Sequence, residues 1–179
     1  MLDKSALYGS VSQTLDPEEV ARFDSLAEQW WDPIGQYGQA IAFNHARLAY
    51  FTSQIAEHFA LDLPFEPSPN ENLWRLYDLG KPLSGLSILD VGCGGGLVSE
   101  PLARLGGEVT GIDASAMSIQ VATQHAQNTK TRVTYCHTLA EELVAKQQQY
   151  DVVINAEVVE HVQNQSLLIN QCAQLVKPG

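Results

Sequence analysis

The stretch Ile88-Leu-Asp-Val-Gly-Cys-Gly-Gly-Gly-Leu97 constrains the fold more than any other part of the chain. An apolar run ends abruptly in glycines at 92, 94, 95 and 96, a density that the interior of a helix or strand does not tolerate. The run reads as a buried strand, and the glycines as the tight turn after it. A second segment, Glu108-Val-Thr-Gly-Ile-Asp113, closes on a carboxylate. Strands are expected at Leu86–Val91, Glu108–Ile112, Arg132–His137 and Tyr150–Asn155. Between and after them, helices are expected at Leu97–Leu105, Ser115–Thr129, Leu139–Gln147 and Gln165–Val176. This alternation implies parallel strands joined by right-handed crossovers, an open α/β sheet.

Upstream, Asp16 precedes Pro17, Glu18 and Glu19, a helix start with a capping acid and first-turn acids at the positive end of the helix. Apolar residues at Val20, Phe23, Leu26, Ala27 and Trp30 continue it at helical spacing. Trp31-Asp-Pro-Ile-Gly35 breaks it, and a second helix is expected from about Ile41 to Ala60. Residues 61–72 carry three prolines and read as a loop, followed by a short helix at Leu73–Tyr77 and a turn at Lys81–Gly85. The chain thus divides into a flexible N-terminus (1–16), a helical lid and connector (17–85) and an α/β core (86–179). It stops at Lys177-Pro-Gly179 with an apolar sheet edge bare, so a truncated chain lacking its C-terminal strands is expected.

Open α/β sheets bind ligands at the carboxyl ends of their strands, where the glycines sit. Asp90 gives the pattern D-x-G-x-G-x-G. An anion beside the turn disfavours a pyrophosphate and suits a ligand with an amino group and a sulfonium, which points to S-adenosylmethionine. In that reading Asp90 faces the amino group, Gly92 and Gly94 contact the methionine part, and Asp113 accepts hydrogen bonds from the ribose hydroxyls. Cys136-His-Thr-Leu-Ala140 offers a place for the adenine, although His137 is equally a strand-end histidine. A nicotinamide-type G-x-G-x-x-G fails, because its third glycine would fall at Leu97.

After the fourth strand comes Asn155-Ala-Glu-Val-Val-Glu-His161. With a helix beginning near Glu157, Glu157, Glu160 and His161 share one face. They would hold a divalent cation, or His161 alone would act as base for a phenolic hydroxyl, or the acids would merely stabilise a helix N-terminus. Trp30-Trp31 is an aromatic cluster capping the sheet or a lid over an apolar substrate. Arg47 forms a surface salt bridge or reaches a ligand carboxylate.

A net charge of −11 argues against nucleic acid as a partner. No apolar run reaches the ~20 residues needed to cross a bilayer. Cys93, Cys136 and Cys172 have no metal-site spacing, which fits reduced thiols.

Several segments together resemble the O-methyltransferases of ubiquinone biosynthesis. Phe23-Asp-Ser-Leu-Ala-Glu-Gln-Trp-Trp-Asp-Pro-Ile-Gly-Gln-Tyr37 is similar to that family's W-W-D signature, and Asn44-His-Ala-Arg-Leu to its N-P-x-R-L segment. The glycine turn with Val109-Thr-Gly-Ile-Asp-Ala-Ser115 resembles its cofactor core, and Glu157-Val-Val-Glu-His-Val162 its E-x-x-E-H-V. The resemblance implies a Rossmann-like class I methyltransferase with a helical N-terminal lid. It implies that Arg47, Gly92, Asp113 and Ala156 contact S-adenosylmethionine, and that Glu157, Glu160 and His161 bind Mg2+ or a similar cation. It also implies a polyprenylated catechol or demethylubiquinol as substrate. Membership of a quinone-biosynthesis complex follows, with peripheral contact at the cytoplasmic face of a bacterial inner membrane or the matrix side of the mitochondrial one. The alternatives are a non-catalytic partner with this fold and a methyltransferase for another small phenol.

Overall fold

A computed structural model of the chain describes residues 14–178. The expectation of a loose N-terminus over residues 1–16 falls mostly outside them. Its last residues are not loose: Thr14 is buried and its carbonyl accepts the Gln163 amide at 3.1 Å.

Helix α1 spans Pro17–Leu26, with Asp16 as N-cap accepting the Glu18 amide at 3.0 Å. It tightens into a 3-10 turn at Ala27–Gln29 instead of running on to Trp30. Helix α2 covers Gly38–His58 and α3 covers Leu73–Tyr77, the latter capped by Asn72.

The sheet follows: β1 Ser87–Val91, α4 Ser99–Arg104, β2 Glu108–Asp113, α5 Ala116–Thr129, β3 Thr134–His137, α6 Ala140–Ala145, β4 Val152–Asn155 and α7 Gln165–Leu175. All strands pair in parallel in the order β3-β2-β1-β4. The expected open α/β sheet is therefore observed. β4 is shorter than expected because Tyr150 pairs with Val176 and not with β1. The Asp151 carboxylate takes over at the strand entry, accepting from the Ser87 amide at 2.8 Å and the Ser87 hydroxyl at 2.6 Å.

Alternation along β1 sorts the core into two layers. Ile88 packs with Leu48 and Ile55 of α2, Leu76 of α3 and Leu102 of α4. Leu89 and Val91 face the other way, against Leu143 of α6 and Leu168 and Leu175 of α7. The chain moves outward from β1 through β2 to β3 and then returns to place β4 on β1's other side. The strand order thus reverses between β1 and β4, and a crevice opens there at the carboxyl ends.

Candidate active site at the strand order reversal

The glycine turn is held by the end of β2. The amides of Gly92 and Cys93 both donate to the Ile112 carbonyl, at 2.8 and 2.9 Å. Asp113 completes the clasp, accepting from the Gly94 amide at 2.9 Å and the Ser115 amide at 2.7 Å. Burial pushes its carboxyl above the usual range, and the two amide bonds oppose that.

Gly92 has φ +71°, and a Cβ there would stand 2.3 Å from Val158, so this position requires glycine on both counts. Gly95 is different. Its backbone is ordinary, but a Cβ would lie 2.3 Å from Trp30. The space over Gly94 and Gly95 is therefore filled by the Trp30 side chain, not left open to a ligand. Trp30 donates to the Ser118 hydroxyl at 3.0 Å and stacks on Tyr37 at 3.8 Å. Trp31 donates to the Gly95 carbonyl at 2.9 Å and stacks on His125. The tryptophan pair is an aromatic strap fastened across the glycine turn.

A cavity of about 120 Å³ opens beside the strap, lined among others by Gly92, Asp113, Thr138, Glu157 and His161. Asp16 and Glu19 of the α1 entry also face it, so its wall is rich in carboxylates. The Thr138 hydroxyl is buried and makes no hydrogen bond among the described residues. A buried hydroxyl lacking a partner is costly, and a polar ligand edge would relieve that cost. An acidic wall, an aspartate closing the second strand and an unpartnered hydroxyl fit a cationic nucleoside ligand such as S-adenosylmethionine.

The other expected site residues sit differently. Asp90 is 2% exposed and does not line the cavity. Period-2 alternation turns it toward α4, where it accepts from the Ser99 hydroxyl at 2.6 Å. Burial raises its pKa to about 6, against the opposing hydrogen bond from Ser99. Arg47 is partly buried, its side chain 18% exposed. It lies on α2 and pairs with Glu157 across 3.3 Å, also touching Asn44. Ala156 packs against the core layer that contains Leu48.

The expected shared face of Glu157, Glu160 and His161 is corrected. Glu157 stands at φ +59°, a left-handed backbone that no helix includes, and the turn begins only at Val159. Glu157 reaches Arg47, Glu160 is exposed, and His161 Nδ1 lies 2.7 Å from Glu19. Among the described residues no three His, Cys, Asp or Glu side chains group to hold a metal ion. As arranged, these residues do not fit the implied cation.

Sequence reasoning gave no signal for Glu19, which reads as an ordinary first-turn acid. It also missed buried Glu100, held by His125 at 2.7 Å and Thr129 at 2.8 Å beneath Trp31.

A parallel sheet with a glycine turn and an acidic second strand at its reversal defines a class I methyltransferase core. Consistent with this, the methyltransferase domain family matches residues 89–179, and the chain belongs to that family. It is 44% identical over 168 residues to the ubiquinone biosynthesis O-methyltransferase of Dinoroseobacter shibae, covering 94% of this chain and 62% of the relative. It is 45% identical over 166 residues to the protein of the same name in Roseobacter denitrificans, covering 93% of this chain and 61% of that one. The chain thus spans less than two thirds of the length of these relatives. Magnesium protoporphyrin IX methyltransferase from Synechocystis PCC 6803, in its structure with bound SAM, shares the fold. Its TM-score is 0.61 at 24% identity, over 93% of this chain and 75% of that one.

Proposed function

We propose that the chain is the donor-binding part of an O-methyltransferase of ubiquinone biosynthesis that methylates a hydroxyl of a polyprenylated catechol or demethylubiquinol. One observation carries the reading: Asp113, Thr138 and His161 all line one acid-walled cavity at the strand order reversal.

When bound, S-adenosylmethionine supplies an electrophilic methyl on a sulfonium. Asp113 accepts the ribose hydroxyls with lone pairs left over from its two amide bonds. Gly92 lies against the methionine part, and the segment Thr138–Ala140 borders the adenine. Arg47 takes the methionine carboxylate in exchange for Glu157. Neither Asp90 nor Gly94 touches the donor in this reading. Asp90 acts through Ser99 at the base of the turn, and Gly94 lies under the strap. Ala156 supports the floor.

His161 removes the proton of a substrate hydroxyl. The oxygen so freed would be the nucleophile for the donor's methyl, the C–S bonding pair leaving on the sulfur. The proton stays on the imidazole until solvent removes it. No step is routed through a divalent cation, because Glu157 is paired with Arg47, His161 lies against Glu19, and exposed Glu160 stands apart from both. The strap of Trp30 and Trp31 shields the reacting atoms from water.

A polyprenyl tail requires peripheral contact with a membrane, and with the quinone-biosynthesis partners that handle the same substrate. Exposed Ile34, Phe43 and Trp74 support such contact. No described helix is long and apolar enough to cross a membrane. The inner membrane, on its cytoplasmic side in a bacterium, is the proposed location.

Titration calorimetry of S-adenosylmethionine tests the reading. Asp113→Ala removes at least one charge-assisted hydrogen bond of roughly 1.5–3 kcal/mol, so affinity falls about tenfold or more. Unchanged affinity would overturn the assignment. Methylation of prenylated catechols in preference to bare ones supports the substrate class, and equal rates point to another small phenol.

A further inference from the structure

We propose that Glu100 and His125 are positioning residues for the donor cavity: the buried carboxylate holds the imidazole flat against Trp31, and the pinned Trp31 fixes Trp30 as a wall of that cavity. The inference rests on the donor-binding reading given above.

Glu100 stands on the first turn of α4 with its side chain 2% exposed. A carboxylate buried so deeply is costly unless it is held by hydrogen bonds. Both of its oxygens are held. His125 Nδ1 meets Oε1 at 2.7 Å, and the Thr129 hydroxyl donates to Oε2 at 2.8 Å. Both partners come from α5, one turn apart on the same face. The His125 ring stacks on Trp31 with centroids 3.6 Å apart and planes within 5°. The Trp31 indole N–H donates to the Gly95 carbonyl at 2.9 Å. Trp31 is therefore gripped on its face by α5 and at its edge by the glycine turn. Gly95 and Glu100 belong to one short stretch of chain, so the contacts close a ring: turn, Trp31, His125, Glu100 and back to the turn.

Trp31 does not line the cavity, but its neighbour Trp30 does, together with Gly92 and Asp113. The Trp30 indole donates to Ser118, which lies two turns before His125 on α5. One helix face thus offers two holds, spaced to receive two consecutive indoles. A lone histidine on α5 would be free to rotate about its own side-chain bonds. Glu100 removes that freedom, so the ring presents one plane for stacking. Losing this hold leaves Trp30 attached to α5 through Ser118 alone, and the wall beside Gly92 becomes mobile.

Hydrogen exchange of the three indole N–H groups reads the hold directly, with the Trp30 and Trp31 signals identified by their loss in Trp30→Phe and Trp31→Phe. In His125→Ala the Trp31 indole exchanges about tenfold faster, the effect of one lost stacking contact. The amides of β1 keep their wild-type protection. Affinity for S-adenosylmethionine, measured by calorimetry, falls roughly threefold to tenfold in the same variant. His125→Phe keeps a ring against Trp31 without the anchor to Glu100, and Glu100→Gln keeps an acceptor without the charge. Both give intermediate values, and they carry the test if His125→Ala does not fold.

Wild-type exchange of the Trp31 indole in these variants overturns the proposal. So does faster exchange with unchanged donor affinity, because the hold would then have no bearing on the cavity. A lower denaturation midpoint alone, with both readouts at wild-type values, marks a purely structural pair and overturns it as well. A wild-type chain that does not bind S-adenosylmethionine overturns the donor-binding reading and the role in the cavity with it, and the exchange measurement separates that outcome from failure of the hold itself.

Discussion

Replacing Gly95 by alanine tests whether the tryptophan strap and the glycine turn form one unit. The added Cβ would stand 2.3 Å from Trp30 Cβ and 2.4 Å from Cγ, both close to the tryptophan backbone. Neither atom is the far end of a flexible chain, so the whole side chain must shift. Gly95 has no positive φ, and the effect is steric, without a conformational part. Displacing the indole breaks its bond to Ser118, worth about 1 kcal/mol, and its stacking on Tyr37, worth about 1 kcal/mol more. Residual overpacking adds roughly 1 kcal/mol. The expected loss is about 2–3 kcal/mol, or a Tm lower by roughly 5–10 °C for a domain of this size. Urea titration followed by tryptophan fluorescence measures it. A double-mutant cycle with Trp30→Gly should give a coupling of about 1 kcal/mol or more, because the clash disappears with the side chain. Two substitutions that add within about 0.5 kcal/mol, with unchanged fluorescence in Gly95→Ala, would refute the reasoning.

Two further outcomes follow from charge. Asp90 has its pKa raised to about 6 by burial, so above that pH the folded chain carries an ionised, buried carboxylate at a cost relative to the unfolded chain. The cost is present in full above pH 6 and fades as pH falls toward 4. Asp90→Asn should therefore stabilise the chain at pH 8 by at most roughly 3 kcal/mol, and make little difference near pH 4. Equal denaturation midpoints at pH 8 would show that the carboxylate is not disfavoured there. Glu157→Gln should strengthen S-adenosylmethionine binding by up to about fivefold, since the ion pair with Arg47 involves a largely exposed carboxylate of small worth. Calorimetry measures this, and weaker binding would make Glu157 a ligand and not a competitor.

The local elements were largely legible because each carries its own cause. Asp16 with Pro17 starts α1, Asn72 caps a five-residue helix, and apolar runs ending in glycine or aspartate make strands. The position of Asp113 was legible too, since a carboxylate closing the second strand of such a sheet faces the crevice. Ends were off where a side chain intervened: Asp151 replaces the ladder at the start of β4, and the 3-10 turn shortens α1.

What the sequence determined by itself was the parallel sheet, its glycine turn and the family, because periodicity, turn chemistry and short motifs act over neighbouring residues. What only the tertiary structure decided was which side chains meet. Asp90 turned inward to Ser99, Trp30 filled the space above the glycines, and Glu157 and His161 parted toward Arg47 and Glu19. Apart from Asp90 and Ser99, these contacts join residues far apart along the chain. They are fixed by the packing of α1 and α2 over the crevice, and by one left-handed residue at Glu157 that ends the regular spacing on which a shared helical face depends.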